Sequence, residues 1–509
     1  MPDFVLLQRA WATAIIAALC AGSARAQTTP QNLIDWGMDA YIKTGESLRV
    51  PGSTLFAETA SLSGQQSGGA GGFAFVWPLS TQFRVQNSLS RLDSATYTPL
   101  LRQFSDEARA RYWKTAGGGY RSGVSSGATL FYDDNAHMAV ALMEAYRITA
   151  DPIYLNRAQE TYDFVLSGED LAGGGGIYFN PLDHSVKETI STLQGARAAL
   201  MLYQATEQET YFTDATRLYQ WARTHTQQLD GLFLERYYLT GPKAGTAGDF
   251  TLVNAAGDGI SVNLEFYAST GDPAYLQEAQ RIATRSLTRY FNLTTGAIND
   301  EGFWAFELVD AFDDLSRVDG NPKWLTRIVS ALKWLHNNRR DPNGHYGRLW
   351  GRGGFQSSAL AAWQLNDQAS VTRSYLHTGL PVPEPLPGDF DANGVVDAAD
   401  LAQWKAGFST TSDATRSQGD ADVDYDVDGA DFLVWQRQIG KSTTSSTAAI
   451  PEPSTLLILL AGAPWMFRRI RVAASPSAHA PPSGGSDWLT PIAKTVIIES
   501  DGGAFGLQT

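Results

Sequence analysis

The sequence predicts an all-α protein, a ring of helical hairpins followed by a second, smaller helical module. Three observations lead there. Helical periodicity recurs throughout residues 31–370 while strand-like alternation is scarce. One hairpin-opening motif returns four times, and an acidic twelve-residue loop is duplicated near the C-terminus.

The composition is that of a folded chain, with 509 residues, 43% hydrophobic and 18% charged. Its 14 Trp and 20 Tyr suit either a helical core or stacking platforms for sugars. The net charge is −14, and residues 388–440 alone, with eleven Asp against three basic residues, account for −8 of it. That balance argues against nucleic acid or anionic lipid as partner and suits hard cations. Cys20 is the only cysteine, so no disulfide staples the chain.

Residues 1–26 read as a signal peptide. Arg9 closes a short polar segment, 10–21 is apolar, and Ala24-Arg25-Ala26 is a small-x-small cleavage site. Leu19 before Cys20 is too large for a lipoprotein site. The protein is therefore expected to be secreted or displayed at a bacterial surface.

Twelve helices are predicted, near 31–43, 76–92, 96–114, 133–148, 153–168, 187–205, 210–228, 259–269, 273–290, 303–317, 322–338 and 355–367. Asp151-Pro152, Asp272-Pro273 and Asn321-Pro322 each place a capping residue before a proline in the first turn. Glu209-Thr210-Tyr211 opens the remaining one, second along the chain. The aromatics at 154, 211, 275 and 324 are one helical hairpin apart, and six hairpins can close a ring. Between hairpins lie glycine runs at 68–72, 117–119, 173–176 and 353–354, which serve either ligand approach or surface flexibility.

The sharpest chemical signal is Asp133-Asp134 at the start of the helix predicted over 133–148. Two carboxyls about 5–5.5 Å apart can act as nucleophile and acid/base in retaining glycoside hydrolysis, and their repulsion raises one pKa. Helix capping accounts for the same dipeptide.

The stretch Tyr132-Asp133-Asp134-Asn135-Ala136, with Gly173-Gly174-Gly175-Gly176-Ile177-Tyr178-Phe179 and Lys187-Glu188-Thr189-Ile190, resembles glycoside hydrolase family 76 over about residues 75–370. The resemblance implies an (α/α)6 barrel over 27–376 that acts as a retaining endo-α-1,6-mannanase. It implies Asp133 as nucleophile and Asp134 as general acid/base. Trp77, Tyr132, Asn135, Gly175, Tyr178, Lys187, Asn254 and Trp304 would bind the polysaccharide, with the glycine run and Tyr178 beside the acid pair. The chain departs from the family where His137 replaces an aromatic residue, Glu188 an asparagine, and where Val253-Asn254-Ala255-Ala256-Gly257 and Phe303-Trp304 stand for other motifs. Uronyl hydrolases and sugar 2-epimerases share such barrels but lack the paired aspartates. A degenerate, glycan-holding barrel is the non-enzymatic alternative.

Residues 377–387, with four prolines, form a stiff linker. In the module over 388–440 the loops are 389–400 and 420–431. Calcium ligands are expected at Asp389, Asp391, Asn393, Val395 (through its carbonyl), Asp397 and Asp400, and at Asp420, Asp422, Asp424, Asp426, Asp428 and Asp431. Two loops 31 residues apart with Asp at position 12 resemble a type I dockerin, which implies a cohesin-like domain as partner. Tyr425 stands where the turn asks for glycine, so the second site should bind more weakly. After a spacer at 441–449, residues 450–471 (Pro451-Glu452-Pro453, an apolar run, Arg468-Arg469) resemble a PEP-CTERM sorting signal, implying transient membrane anchoring. No structure is assigned to 472–509.

Overall fold

The computed structural model describes residues 28–351, 356–381, 386–391, 395–412, 414–422 and 424–441. The segments expected to be a signal peptide and a sorting signal, the glycines at 353–354, Asn393 and residues 472–509 lie outside the described residues. Among the described residues, no helix is long and apolar enough to cross a membrane.

Fourteen α-helices are present among them. Twelve alternate between an outer and an inner layer. The first six are α1 (Pro30–Leu48), α2 (Val76–Leu92), α3 (Ser94–Tyr112), α4 (Tyr132–Thr149), α5 (Pro152–Leu166) and α6 (Thr189–Thr206). The next six are α7 (Glu209–His225), α8 (Val253–Thr270), α9 (Pro273–Arg289), α10 (Gly302–Asp319), α11 (Pro322–Arg339) and α12 (Leu365–Gly379). The even-numbered helices pack side by side, each on the next, and α12 returns to α2 to close the inner ring. Each odd-numbered helix covers its even-numbered partner from outside, and the seam is the pairing of α1, the first, with α12, the last. A Cβ on Gly379 would lie 3.0 Å from the Pro30 carbonyl oxygen, so the two ends of the ring touch.

Burial separates the layers. On α9 only Ala279, Ile282, Ala283 and Ser286 are buried, the i, i+3, i+4, i+7 stripe of an outer helix. On α8, residues 253–264 are buried without a break. Gly257 lets α8 approach α10, since a Cβ there would lie 2.6 Å from the Glu307 backbone carbon. Asp151, Asp272 and Asn321 cap α5, α9 and α11 through Ile153, Ala274 and Lys323 N–H at 3.0, 2.9 and 3.2 Å, each with proline in the first turn. Trp324 on α11 is fully buried against Phe312 and donates to Asp319 at 2.9 Å. Trp324→Ala is expected to cost about 3–5 kcal/mol of ring stability, read as a lower midpoint in denaturant unfolding.

Three expectations are corrected. The last ring helix is not at 355–367 but at Leu365–Gly379, which also takes the first three residues assigned to the linker. Helix α8 begins six residues earlier than predicted. Strands are also present: β1 (Thr59–Ser61), β2 (Gln66–Ser67), β3 (Trp113–Lys114), β4 (Gly119–Tyr120), β5 (Tyr178–Asn180), β6 (Asp183–Glu188), β7 (Leu234–Tyr238), β8 (Ala247–Thr251) and β9 (Ala362–Gln364). Strands β5-β6-β7-β8 form an antiparallel sheet, with β9 beside β1 in a smaller one.

Candidate active site

Five inner helices bring first-turn residues to one end of the ring: Trp77 from α2, Asp133 and Asp134 from α4, Ile190 from α6, Asn254 from α8 and Trp304 from α10. With Glu58, Glu188, Glu235 and the aromatic rings of Phe75, Phe131, Phe179 and Phe250 they line a cleft of about 450 Å³. Phe131 and Phe179 stack at 5.0 Å, and Phe75 and Phe250 are each about half exposed on the rim. Among the described residues no Lys or Arg lines this cleft. Helix N-termini carry partial positive charge, which lowers the cost of gathering carboxylates there.

Asp134 is 6% exposed, and one carboxylate oxygen of Asp133 is buried without a hydrogen-bond partner. Burial pushes both carboxyls up, Asp134 to about 7. The charges of Asp134 and Glu188 add to the rise at Asp133, and those of Glu188 and Glu58 to the rise at Asp134. The charge of one carboxyl thus favours the proton on the other, the relation that a nucleophile beside a general acid uses. The N-cap of α4 is Phe131, with no side-chain cap, so the pair is not consumed in capping. His137 lies below with Nδ1 3.5 Å from Glu307, and burial lowers its pKa. Beneath, Arg84 donates to Glu307, Asp310 and Glu144 at 2.9, 3.0 and 3.1 Å, filling the ring's centre with a charged network.

Trp77, Asn254 and Trp304 stand in the cleft wall; the other five residues expected there do not. Tyr132 stacks on Phe164 at 5.0 Å. The Asn135 amide accepts from Tyr120 N–H at 2.6 Å and donates to the Tyr120 and Phe131 carbonyls, pinning the loop before α4. Lys187 is fully buried, donating to Asp170 and the Gly176 carbonyl at 2.8 and 2.9 Å above the Tyr178 ring, whose hydroxyl also donates to Asp170. Gly175, with φ 121°, faces Trp221 and Glu169, so the glycine run packs on an outer helix instead of beside the acids. The cleft positions belong to the sequence neighbours Phe179 and Glu188, because adjacent strand residues face opposite ways. Glu188 stands at a position where the sequence departs from the resemblance, whereas Glu58 and Glu235 are site residues that the sequence does not predict. Strand alternation signals Glu188; Glu58 and Glu235 carry no local signal.

A second candidate site lies in the C-terminal module, between α13 (Ala398–Gly407) and α14 (Gly429–Gln438). Carboxylate oxygens of Asp389, Asp391 and Asp400 lie within 4.8 Å of one another, as do those of Asp420, Asp422 and Asp431 and those of Asp426, Asp428 and Asp431. The two loops repeat one hydrogen-bond pattern. Asp400 accepts from Phe390 and Asp397 N–H at 2.7 Å each, and Asp431 from Ala421 and Asp428 N–H at 2.6 and 2.8 Å. Asp397 and Asp428 also cap the helices that follow. Trp435 donates to the Asp397 carbonyl and Trp404 to the Asp428 carbonyl, tying each helix to the opposite loop. Val395 lies in the first loop and Asp424 in the second. Tyr425 takes φ 72°, so this loop makes the left-handed turn without glycine.

Residues 76–301 match the model of Glycosyl hydrolase family 76. No curated protein sequence matches the chain. Among solved structures, a family 76 α-mannanase of Bacteroides thetaiotaomicron superposes with a TM-score of 0.62 at 26% identity, over 68% of this chain and 95% of that one. An inactive variant of a Salegentibacter sp. α-1,6-mannanase, with two consecutive aspartates replaced and α-1,6-mannotriose bound, gives 0.59 at 17%, over 68% and 99%. A cellobiose 2-epimerase of Bacillus thermoamylovorans gives 0.54 at 10%, over 68% and 99%. The fold is thus shared by enzymes of different chemistry, and the site must decide the reaction.

Proposed function

We propose that the helical ring is a glycoside hydrolase of the family 76 kind that cleaves α-mannan, α-1,6-linked, within the chain and with retention at the anomeric carbon. The observation that carries this reading is the adjacent pair of half-buried Asp133 and buried Asp134 sharing a carboxylate-rich cleft at the N-terminal end of the inner ring. Support comes from the family match across these residues and from the mannanase whose paired aspartates were replaced to inactivate it.

In the proposed reaction the Asp133 carboxylate attacks the anomeric carbon while Asp134 gives its proton to the departing glycosidic oxygen, leaving a glycosyl ester on Asp133. Asp134, now ionised, takes a proton from water, whose oxygen attacks the same carbon and releases Asp133. Trp77, Trp304 and the Phe75, Phe179 and Phe250 rings supply stacking faces for successive sugars. Incubating the purified protein with α-1,6-mannan, sizing the products and following the anomers by NMR tests this. Medium-length α-anomeric products are expected, whereas inverted products or monosaccharide alone would refute it.

A non-catalytic glycan holder is the second reading, favoured by Glu188 at the position where the resemblance leads one to expect asparagine; it requires mannan binding without product.

For the remainder of the chain, we propose that 388–440 binds two Ca²⁺ ions and, so loaded, takes a cohesin-like partner. The hard oxygen donors of the three aspartate clusters fit that ion. Residues 1–26 and 450–471 would export the protein and anchor it transiently at the cell surface.

A further inference from the structure

We propose that Glu188, which lines the same cleft, is a positioning residue for the proton of the Asp133–Asp134 pair, and that it sets the pH range over which the pair works. The inference rests on the hydrolase reading. Glu188 ends β6 and lines the same cleft as both aspartates, whereas its neighbour Lys187 is turned away and spent on Asp170. Its carboxylate accepts from the Ser191 hydroxyl at 2.5 Å, and its backbone sits opposite Arg236 in the sheet. The cationic neighbour is on β7, where Arg236 is ion-paired with Glu235, and it is not among the residues that line the cleft. The other titratable groups facing this end are Glu58, which accepts from Phe75 N–H at 2.9 Å, and His137. Nothing among them screens Glu188 from the pair with a positive charge.

Burial raises the Glu188 carboxyl, while Ser191 and Arg236 act to keep it ionised. An ionised Glu188 in turn opposes ionisation of Asp133 and of Asp134. Carboxyls raised in the folded state contribute stability that is fully present below their unfolded values, near 4, and is lost as pH rises through the folded values. Asp134, at about 7, carries this window up to neutrality. Removing the Glu188 charge should therefore matter at high pH and vanish at low pH.

The test uses the full protein with Glu188→Gln, which keeps an acceptor for Ser191, and Glu188→Asp, which keeps the charge. Mannan hydrolysis and thermal unfolding are each followed from pH 4 to pH 8. In Glu188→Gln the acidic limb of the pH–rate profile should move down by about one pH unit. Its Tm should exceed that of the parent by at least about 2 °C at pH 8 with no difference at pH 4. This gain should shrink when Asp134→Asn is also present, the signature of coupled charges. Glu188→Asp should keep the parent limb. An unmoved limb together with a Tm difference that is the same at every pH overturns the proposal. If no form hydrolyses mannan, the hydrolase reading falls, and the Tm series with its Asp134→Asn arm still decides whether Glu188 governs protonation of the pair.

Discussion

Asp133→Asn and Asp134→Asn are each expected to lower mannan hydrolysis by at least about 1,000-fold while the ring stays folded. The structure argues against a loss through unfolding. Neither side chain caps α4, and asparagine keeps the shape of each group. Because both carboxyls are raised by burial, neutralising either removes a charge that the fold opposes. Each variant should match or exceed the parent Tm at pH 8, and the advantage should disappear near pH 4, below the unfolded values. The two variants should differ on an aryl mannoside with a good leaving group. Asp134→Asn should then form the glycosyl ester at a nearly normal rate and stall at its hydrolysis, giving a burst; Asp133→Asn should form none. Full activity of either variant on mannan would exclude the assigned role.

Chelation of calcium is expected to unfold the 388–440 module and leave the ring intact. No disulfide is possible there, since the lone cysteine is Cys20, and among the described residues the module's buried apolar side chains are few: Phe390, Val396, Ala414, Ala421, Val427 and Trp435. Lost hydration and the charge of Asp424 push the Asp422 and Asp426 carboxyls up, so without a cation the loops resist their own ionisation. A cation at 100 times its Kd stabilises the folded form by about 2.7 kcal/mol per site, comparable to what so small a core can supply. Calorimetry of the whole protein should show a separate transition that chelator abolishes and calcium restores, with protease cutting between 388 and 440 only in chelator. A transition indifferent to calcium would refute the metal assignment. Tyr425→Gly relieves a left-handed residue, worth roughly 1 kcal/mol, and should tighten the second site about fivefold.

Where side chains act from helix starts, the sequence was readable. Asp133 and Asp134, with Trp77, Asn254 and Trp304, each sit in the first turn of an inner helix, and caps and amphipathic stripes locate those turns. Lys187 and Glu188 exchanged roles for a definite reason. The sequence pattern predicts the opening of a helix here, whereas the segment is the end of strand β6, where side chains alternate. Glu58 and Glu235 reach the cleft only through tertiary folding, and no local pattern marks them. Helix α12 was placed ten residues early because hydrophobic periodicity fails on it. Asn366, Asp367, Gln368, Ser370, Thr372, Arg373 and Ser374 are all buried, with Arg373 on the ring's charged interior through Asp310, so a core helix reads as a polar one.

The seam where α1 meets α12 implies that the ring is cyclic in all but its covalent connection. Gly379 already abuts Pro30, so a short glycine linker joining them, with new termini opened between Glu207 and Glu209, defines a circular permutant. The opening falls at the C-terminal end of α6, away from the helix starts that line the cleft, and spares every strand. Such a permutant should fold and retain the parent's activity, because where the chain begins is a matter of its gene order and not of its packing.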